Sequence, residues 1–328
     1  MIMDMNKWLS DILSEKNKKP LPILSYPAVQ LEGVTVKEAV SDALIQAKVM
    51  KAVADRCPSS ASVSIMDLSV EAECFGASVT FAENAVPAIT GTLIKSSDDA
   101  EKLPVPRVGS GRSQIFIDAI KEAKTLITDR PVFAGAVAPF SLAGRLMDVT
   151  EIMYWCFDEP ETVHKVVEKC TEFLIEYIIA LKSAGADGVI LAEPVAGLLS
   201  PALEEEFSAP YTKRLAEAVK DDSFAVVYHN CGQGVVHMKE SIFSNSCDAY
   251  HFGNVIDLRE MLAAAPKDKI VMGNIDPVGC FKDATPDEMR AAVKKLRDEC
   301  GKYDNFLLSS GCDIPPNAKW ENIDAFFE

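Results

Sequence analysis

The 328-residue sequence predicts an α/β protein, a (β/α)8 TIM-type barrel with an N-terminal helical extension and an insertion after the second strand. Three observations carry this. Eight short runs of apolar residues recur along the chain, most of them separated by stretches of three-four helical spacing; such continuous runs are strands buried on both faces, as in a parallel sheet. Polar residues collect where these runs end: Asp67, Glu193, His229 with Cys231, Asn274 with Asp276, and Cys312, with His251 inside the sixth run. Barrel enzymes place their active sites at that end of the strands. The length is normal for one such barrel. No internal repeat or low-complexity tract divides the chain, so residues 1–328 are expected to form one domain.

The elements follow in order. Residues 4–14 read as a short amphipathic helix with Trp8, Leu9 and Ile12 on one side, and 21–25 as the first strand. Thr35 with Glu38 forms a capping box for a helix that runs to about Arg56, where Cys57-Pro58-Ser59 breaks it. The second strand, 61–66, ends at Asp67. The insertion follows, with 79–82 and 88–93 expected as a hairpin or cap over the strand ends, and then a helix over 115–127. Strands are expected at 132–137, 189–192, 224–228, 249–252, 269–273 and 306–308. The intervening helices are expected at 160–184, 203–219 and from Thr285-Pro286 to about Cys300, with a closing helix over 320–327.

Composition narrows the function. Lys and Arg total 33 against 49 Asp and Glu, a net charge of −16, and no basic stripe with interleaved aromatics is present; this argues against nucleic-acid binding. No apolar run is long enough to span a bilayer. Residues 1–7 lack the basic region and apolar core of a signal peptide. Nine cysteines, an odd number scattered through helices and strands, fit reduced thiols in a cytoplasm better than a disulfide framework.

The chemistry centres on His229 and Cys231. In extended chain, residues two apart point to one side, so both side chains can face one point, and Cys312 after the eighth strand can close on it. One imidazole and two thiolates make a zinc site with an open fourth position, the signature of a catalytic rather than a structural metal. A lone strand-end His or Cys is more often packing, since free Cys behaves as a small hydrophobe; here it is the coincidence of three donors after barrel strands that points to a metal. The other cysteines have no paired ligand nearby, and His164 and His237 read as helix-surface or capping residues. Asp67, Glu71 and Glu73 either cap the following segment or orient substrate and move protons, and Glu193 reads the same way. Gly109-Ser110-Gly111-Arg112 follows no strand and lacks the lysine of a phosphate loop, so it reads as a turn.

Five stretches then carry a resemblance: residues 66–76, from Met66-Asp67-Leu68 to Cys74-Phe75-Gly76; residues 138–146, containing Arg145; His229-Asn230-Cys231-Gly232; Gly273-Asn274-Ile275-Asp276-Pro277; and Ser309-Ser310-Gly311-Cys312-Asp313-Ile314-Pro315-Pro316. With them the chain resembles the uroporphyrinogen decarboxylase superfamily, and within it the zinc-dependent methylcobamide:coenzyme M methyltransferases. The resemblance implies zinc held by His229, Cys231 and Cys312, a small thiol such as coenzyme M as methyl acceptor, and a methylated corrinoid on a partner corrinoid protein as donor. It makes Asp67, Glu71 and Glu193 the candidate catalytic groups and Asn274, Asp276 and Arg145 the candidate cofactor-binding groups. Two departures stand out. Residues 24–30 contain none of the arginines that grip a porphyrinogen in the decarboxylases. Residues 250–255 lack the carboxylate expected as fourth zinc ligand, which leaves His251 or water for that position. The alternatives are a decarboxylase of a tetrapyrrole-like acid and a non-catalytic corrinoid- or zinc-binding accessory protein.

Overall fold

Strand order shows how the site is assembled. The structure, a computed structural model, describes residues 3–328; the first two residues of the 1–7 segment read above lie outside it. Nine strands form among the described residues: β1 (Ser62–Val63), β2 (Ser78–Ala82), β3 (Ala85–Thr90), β4 (Val132–Val137), β5 (Gly188–Ala192), β6 (Ala225–Asn230), β7 (Ala249–Phe252), β8 (Ile270–Ile275) and β9 (Phe306–Ser310). Seven make one curled parallel sheet in the order β1-β4-β5-β6-β7-β8-β9, and β2 with β3 is the antiparallel hairpin of the insertion. Parallel strands need crossovers, and helices such as Pro160–Ser183 and Pro286–Cys300 supply them. No helix among the described residues is long and apolar enough to cross a membrane.

Each strand feeds two cores, which is why the runs read as continuously apolar. Ile190, Val227, Met272 and Leu307 pack on the concave face, where Phe133 also meets Trp8 of the N-terminal helix Met5–Ser14. Val189, Leu191, Val226 and Val271 pack outward against the helices. The period of two then decides the site. Ala225 and Val227 face inward, so His229 does; Ala249 does, so His251 does; Leu307 does, so Ser309 does. The register pairs His229 directly with His251 across β6 and β7.

The first expected strand is a correction. Residues 21–25 form no ladder strand, so seven strands, not eight, stand in register. Pro20 and Pro22 have no N–H to give a regular ladder. The segment still runs between the two edges of the sheet. The Leu21 N–H donates to Leu308 O at 3.0 Å, the Ser60 N–H donates to Pro20 O at 2.9 Å, and the Ser25 hydroxyl donates to Val63 O. Two expected helices are each broken once. The Thr35/Glu38 capping box starts Val36–Ala39, but Asp42 caps a separate helix, Ala43–Arg56. The helix expected over 203–219 is Pro201–Phe207 followed by Ala209–Val219, divided at Ser208 where Pro210 opens the second piece.

Candidate metal centre

A line of hydrogen bonds runs across three strands to the site. The Ser309 hydroxyl donates to Leu21 O at 2.6 Å. It has one proton, so toward His251 Nε2, 2.8 Å away, it accepts. His251 is therefore the Nε2–H tautomer, and burial beside His229 keeps it neutral by pulling its pKa well below the ordinary imidazole value. Its Nδ1 then carries a lone pair, and His229 Nδ1–H donates to it at 2.7 Å. That leaves the lone pair of His229 Nε2 free, aimed at Cys312 Sγ at 3.5 Å. A metal-ligating histidine is normally fixed in this way, its other nitrogen donating to a second group.

The two thiols reach the same point from loops that only glycine permits. Asn230, at the end of β6, donates to Glu193 O and accepts from the Gly232 N–H at 2.9 Å, which sets the turn carrying Cys231. A Cβ on Gly253 would lie 2.7 Å from Cys231 Cα, and one on Gly311 would lie 2.7 Å from Asn254 N, so both glycines mark close backbone approach. One donor atom from each of His229, Cys231 and Cys312 lies within 4.8 Å of the others. The Cys231 thiol is drawn toward thiolate by the hydrogen bond from Cys312 and by His229. Cys312 is pushed the other way by the same bond and by burial. The pair thus shares a proton that a cation would displace.

The trio borders a cavity of about 190 Å³, whose walls also include Ile23, Met66, Leu68, Val86, Pro87, Arg145, Ala192 and Asp313. Val86 and Pro87 come from the hairpin, so the insertion does cap the strand ends. Asp67 accepts an ion pair from Arg112 and hydrogen bonds from Ser69 N–H and Oγ at 3.0 and 2.6 Å. Glu71 accepts from the Val137 N–H at 3.0 Å with one oxygen; the other is buried without a partner, and burial pushes the group up to about 7. Glu193 lies behind the cavity wall. It accepts the Phe140 and Ser141 N–H groups at 3.2 and 2.6 Å, at the start of helix Pro139–Met147, and burial pushes it up to about 8.

Three expected binding groups separate in space. Arg145 lines the cavity, and its Nε is buried without a partner. Asn274 instead donates to Gly253 O and Ile256 O, and Asp276 accepts from Val278 and Gly279 N–H groups. Both pin loops beside the site and neither is part of its cavity wall. His251 has both ring nitrogens engaged, so it stands behind His229 rather than among the donors. Sequence reasoning missed Arg112, whose Nε also pairs with Glu73 at 2.7 Å. Its one signal was the turn Gly109-Ser110-Gly111-Arg112 itself, with Gly109 and Gly111 at φ 95° and 53°, which reads as a turn without giving its arginine a role. Ser309 and Asp313 fall within the stretch 309–316 that carries the resemblance, which implies no role for either.

The buried carboxyls set a pH dependence. Glu71 and Glu204 are pushed up to about 7 and Glu193 to about 8, each mainly by burial, from an ordinary 4.5. The folded chain therefore binds protons that the unfolded chain releases, and this stability is fully present below about 4.5 and lost as pH rises through 7 to 8. His251 acts oppositely, its contribution lost as pH falls below 6.5. The melting temperature is expected to fall from about pH 6.5 to 8.5, and Glu204→Gln is expected to flatten the decline. A melting temperature that rises across that interval would contradict the assignment.

The fold and the three donors define a class, an α/β protein with a candidate metal site at the carboxyl edge of a curled parallel sheet. The chain belongs to the uroporphyrinogen decarboxylase (URO-D) family, whose model matches residues 23–328. It is 26% identical over 275 residues to the methylcobamide:CoM methyltransferase MtbA of Methanosarcina acetivorans, covering 80% of this chain and 76% of that protein. It is 25% identical over 285 residues to a uroporphyrinogen decarboxylase of Hydrogenovibrio crunogenus, covering 84% and 79%. Among solved structures, a methyltransferase from Methanosarcina mazei superposes with a TM-score of 0.86 at 22% identity, covering 98% of this chain and 96% of that one.

Proposed function

We propose that the protein is a zinc-dependent methyltransferase that moves a methyl group from a methylated corrinoid, carried by a partner protein, to a small thiol. The observation that carries this reading is the convergence of His229, Cys231 and Cys312 on one point at the edge of a small cavity. The donor set fits zinc: one imidazole lone pair left free by its tautomer and two thiols already sharing a proton, with no fourth protein donor in the group. When bound, zinc would supply the Lewis acidity that lets a thiol in the open position ionise near neutral pH.

The chain's own residues do the rest. Cys231 and Cys312 supply negative charge that keeps the centre electron-rich, so an incoming sulfur stays nucleophilic. His251 and Ser309 hold the His229 ring in its tautomer and direction. The apolar walls, Met66, Leu68 and Ala192 among them, keep water from the reacting sulfur. At about 30 Å³ per water, the cavity has room for roughly six waters or a comparably small thiol. A corrinoid is far larger and would lie across the opening, presented by its carrier. Asp67 has its oxygens taken by Arg112 and Ser69, so we assign it to anchoring that wall, and Glu71, half unpartnered, to proton exchange near the cavity. We read the fold as a single barrel domain in which residues 21–25 stand in for the eighth stave, and the location as cytoplasmic.

The test is demethylation of methylcobalamin by anaerobically purified, zinc-loaded protein, followed by the cobalamin absorbance change. Turnover is expected with added thiol and is expected to stop on chelation. Zinc-replete protein that leaves methylcobalamin intact in the presence of thiols, while decarboxylating a porphyrinogen, would replace this reading by the decarboxylase one.

A further inference from the structure

The hairpin over the cavity is tied to the rest of the protein by few bonds. Helix Val70–Cys74 is followed by Gly76, and the Ala77 N–H still donates back to Ala72 O at 3.0 Å. The chain rejoins the body where the Leu93 and Ile94 N–H groups donate to Leu146 O at 2.9 Å. Between these points, residues 78–92 make two hydrogen bonds to other parts of the chain among the described residues, both with Lys37. Its N–H donates to Glu83 O at 3.2 Å, and its ammonium lies 3.5 Å from the Glu83 carboxylate. That N–H is in the first turn of helix Val36–Ala39, where it has no partner within the helix, so water can replace Glu83 at small cost. Apolar contact is also sparse. Ile89 packs on the main core, and Phe81, 37% exposed, has its ring 4.8 Å from the Arg112 guanidinium. A lone two-stranded hairpin is marginal in water, so this segment belongs to the low-stability end of the molecule.

The base of the hairpin has room to turn. Gly76 and Gly91 stand at φ 99° and 76°, and among the described residues nothing lies within 4 Å of where a Cβ would be at either. Gly253 and Gly311, beside the metal donors, are walled in at 2.7 Å. Hinges are element-terminal positions of the open kind, able to absorb a backbone rotation. The other end of the hairpin reaches the site, since Val86 and Pro87 form part of the cavity wall with His229, Cys231 and Cys312. We propose that residues 77–91 are a lid, closed over the small cavity in this structure, that swings on Gly76 and Gly91 to admit a large ligand. Arg112 is its catch: it meets Phe81 while its other contacts, Asp67 and Glu73, hold it to the body. Under the methyltransferase reading the closed lid retains the thiol and the open lid admits the corrinoid; the lid itself does not rest on that reading.

Two measurements on the reduced, metal-free full chain test this without turnover. In the wild type, hydrogen exchange at the amides of β2 and β3 is expected to be at least about a hundredfold faster than at those of β5 and β6. Alkylation of Cys231 and Cys312 is then followed by peptide mass spectrometry with a small reagent, iodoacetamide, and a bulky one, fluorescein-5-maleimide. Phe81→Ala removes the contact with Arg112 and is expected to speed the bulky reagent about twofold to fivefold, while iodoacetamide reacts at an unchanged rate. Ile89→Ala, which loosens the lid's apolar contact instead, is expected to act in the same direction, with folding of both variants checked by thermal melts. Amides in β2 and β3 as protected as those of β5 and β6 would overturn the proposal whatever the variants do. So would variants that speed both reagents equally, which is general loosening of the cavity, or that speed neither. No metal, corrinoid or methyl donor enters these measurements. Loss of the methyltransferase reading therefore leaves the lid standing, and a rigid hairpin leaves that reading standing.

Discussion

Cys312→Ala is expected to strip the protein of zinc and of thiol-dependent demethylation together. The three donors lie within 4.8 Å of one another, with no fourth protein donor in the group. Losing one of three therefore leaves a two-point site that free water and chelators compete with easily. Four-ligand zinc sites release about 10–16 kcal/mol on binding, roughly 3 kcal/mol per ligand, so affinity should fall by at least about a hundredfold. Folding should be little changed, because Cys312 is only part-buried and its hydrogen-bond partners are the other donors. Zinc content measured after dialysis against a chelator of known affinity gives the answer directly. Wild-type protein that neither carries nor takes up zinc under the same anaerobic conditions would remove the metal from the mechanism. Chemistry would then have to be sought at Glu71, the carboxyl with a buried, unpartnered oxygen whose charge neighbours include Arg145 of the cavity wall.

What the sequence disclosed about this site follows from distance along the chain. His229 and Cys231 are two residues apart, and the period of an extended chain suggests one side for both, although β6 ends at Asn230 and it is the turn held by Asn230 that delivers Cys231. Cys312 needed only the assumption that successive strands share a sheet. The seven paired strands were legible for the same reason, since a run buried on both faces is apolar throughout. The segment at 21–25 was misread because apolar character reports burial, while Pro20 and Pro22 decide whether a ladder can form. Arg112 and Asp67 are 45 residues apart and meet only through the turn that two positive-φ glycines impose. The functions of His251 and Ser309 depend on the register of β6, β7 and β9 and on a count of hydroxyl protons, neither of which a sequence displays. Asn274 and Asp276 drew notice as polar residues at a strand end, yet such residues are also what loops need to satisfy their own backbone groups.

His251→Leu tests the register-dependent part of the site, and its expected effect is the next largest. The substitution keeps an apolar side chain of similar bulk in a fully buried position but removes the acceptor for His229 Nδ1–H. The buried His229 Nδ1–H is left without an acceptor, which costs about 1–3 kcal/mol, while the Ser309 hydroxyl keeps its bond to Leu21 O. The ring of His229 is then free to turn or to carry its proton on Nε2, where a metal needs the lone pair. Loss of such an outer partner typically costs about 10–100-fold in metal affinity or activity, so zinc binding should weaken without being abolished, unlike Cys312→Ala. His251→Asn separates orientation from bulk, because the amide oxygen can occupy the level of Nδ1 and accept from His229; it should recover part of the affinity. Ser309→Ala should be milder still, since Leu21 O loses a donor but His251 keeps its contact with His229. Nitrogen chemical shifts of the two imidazoles read the tautomers independently of activity. If His251→Leu binds zinc as tightly as wild type and His229 still carries its proton on Nδ1, the line of hydrogen bonds from Leu21 to His229 positions nothing, and the free lone pair on Nε2 must be set by the thiols alone.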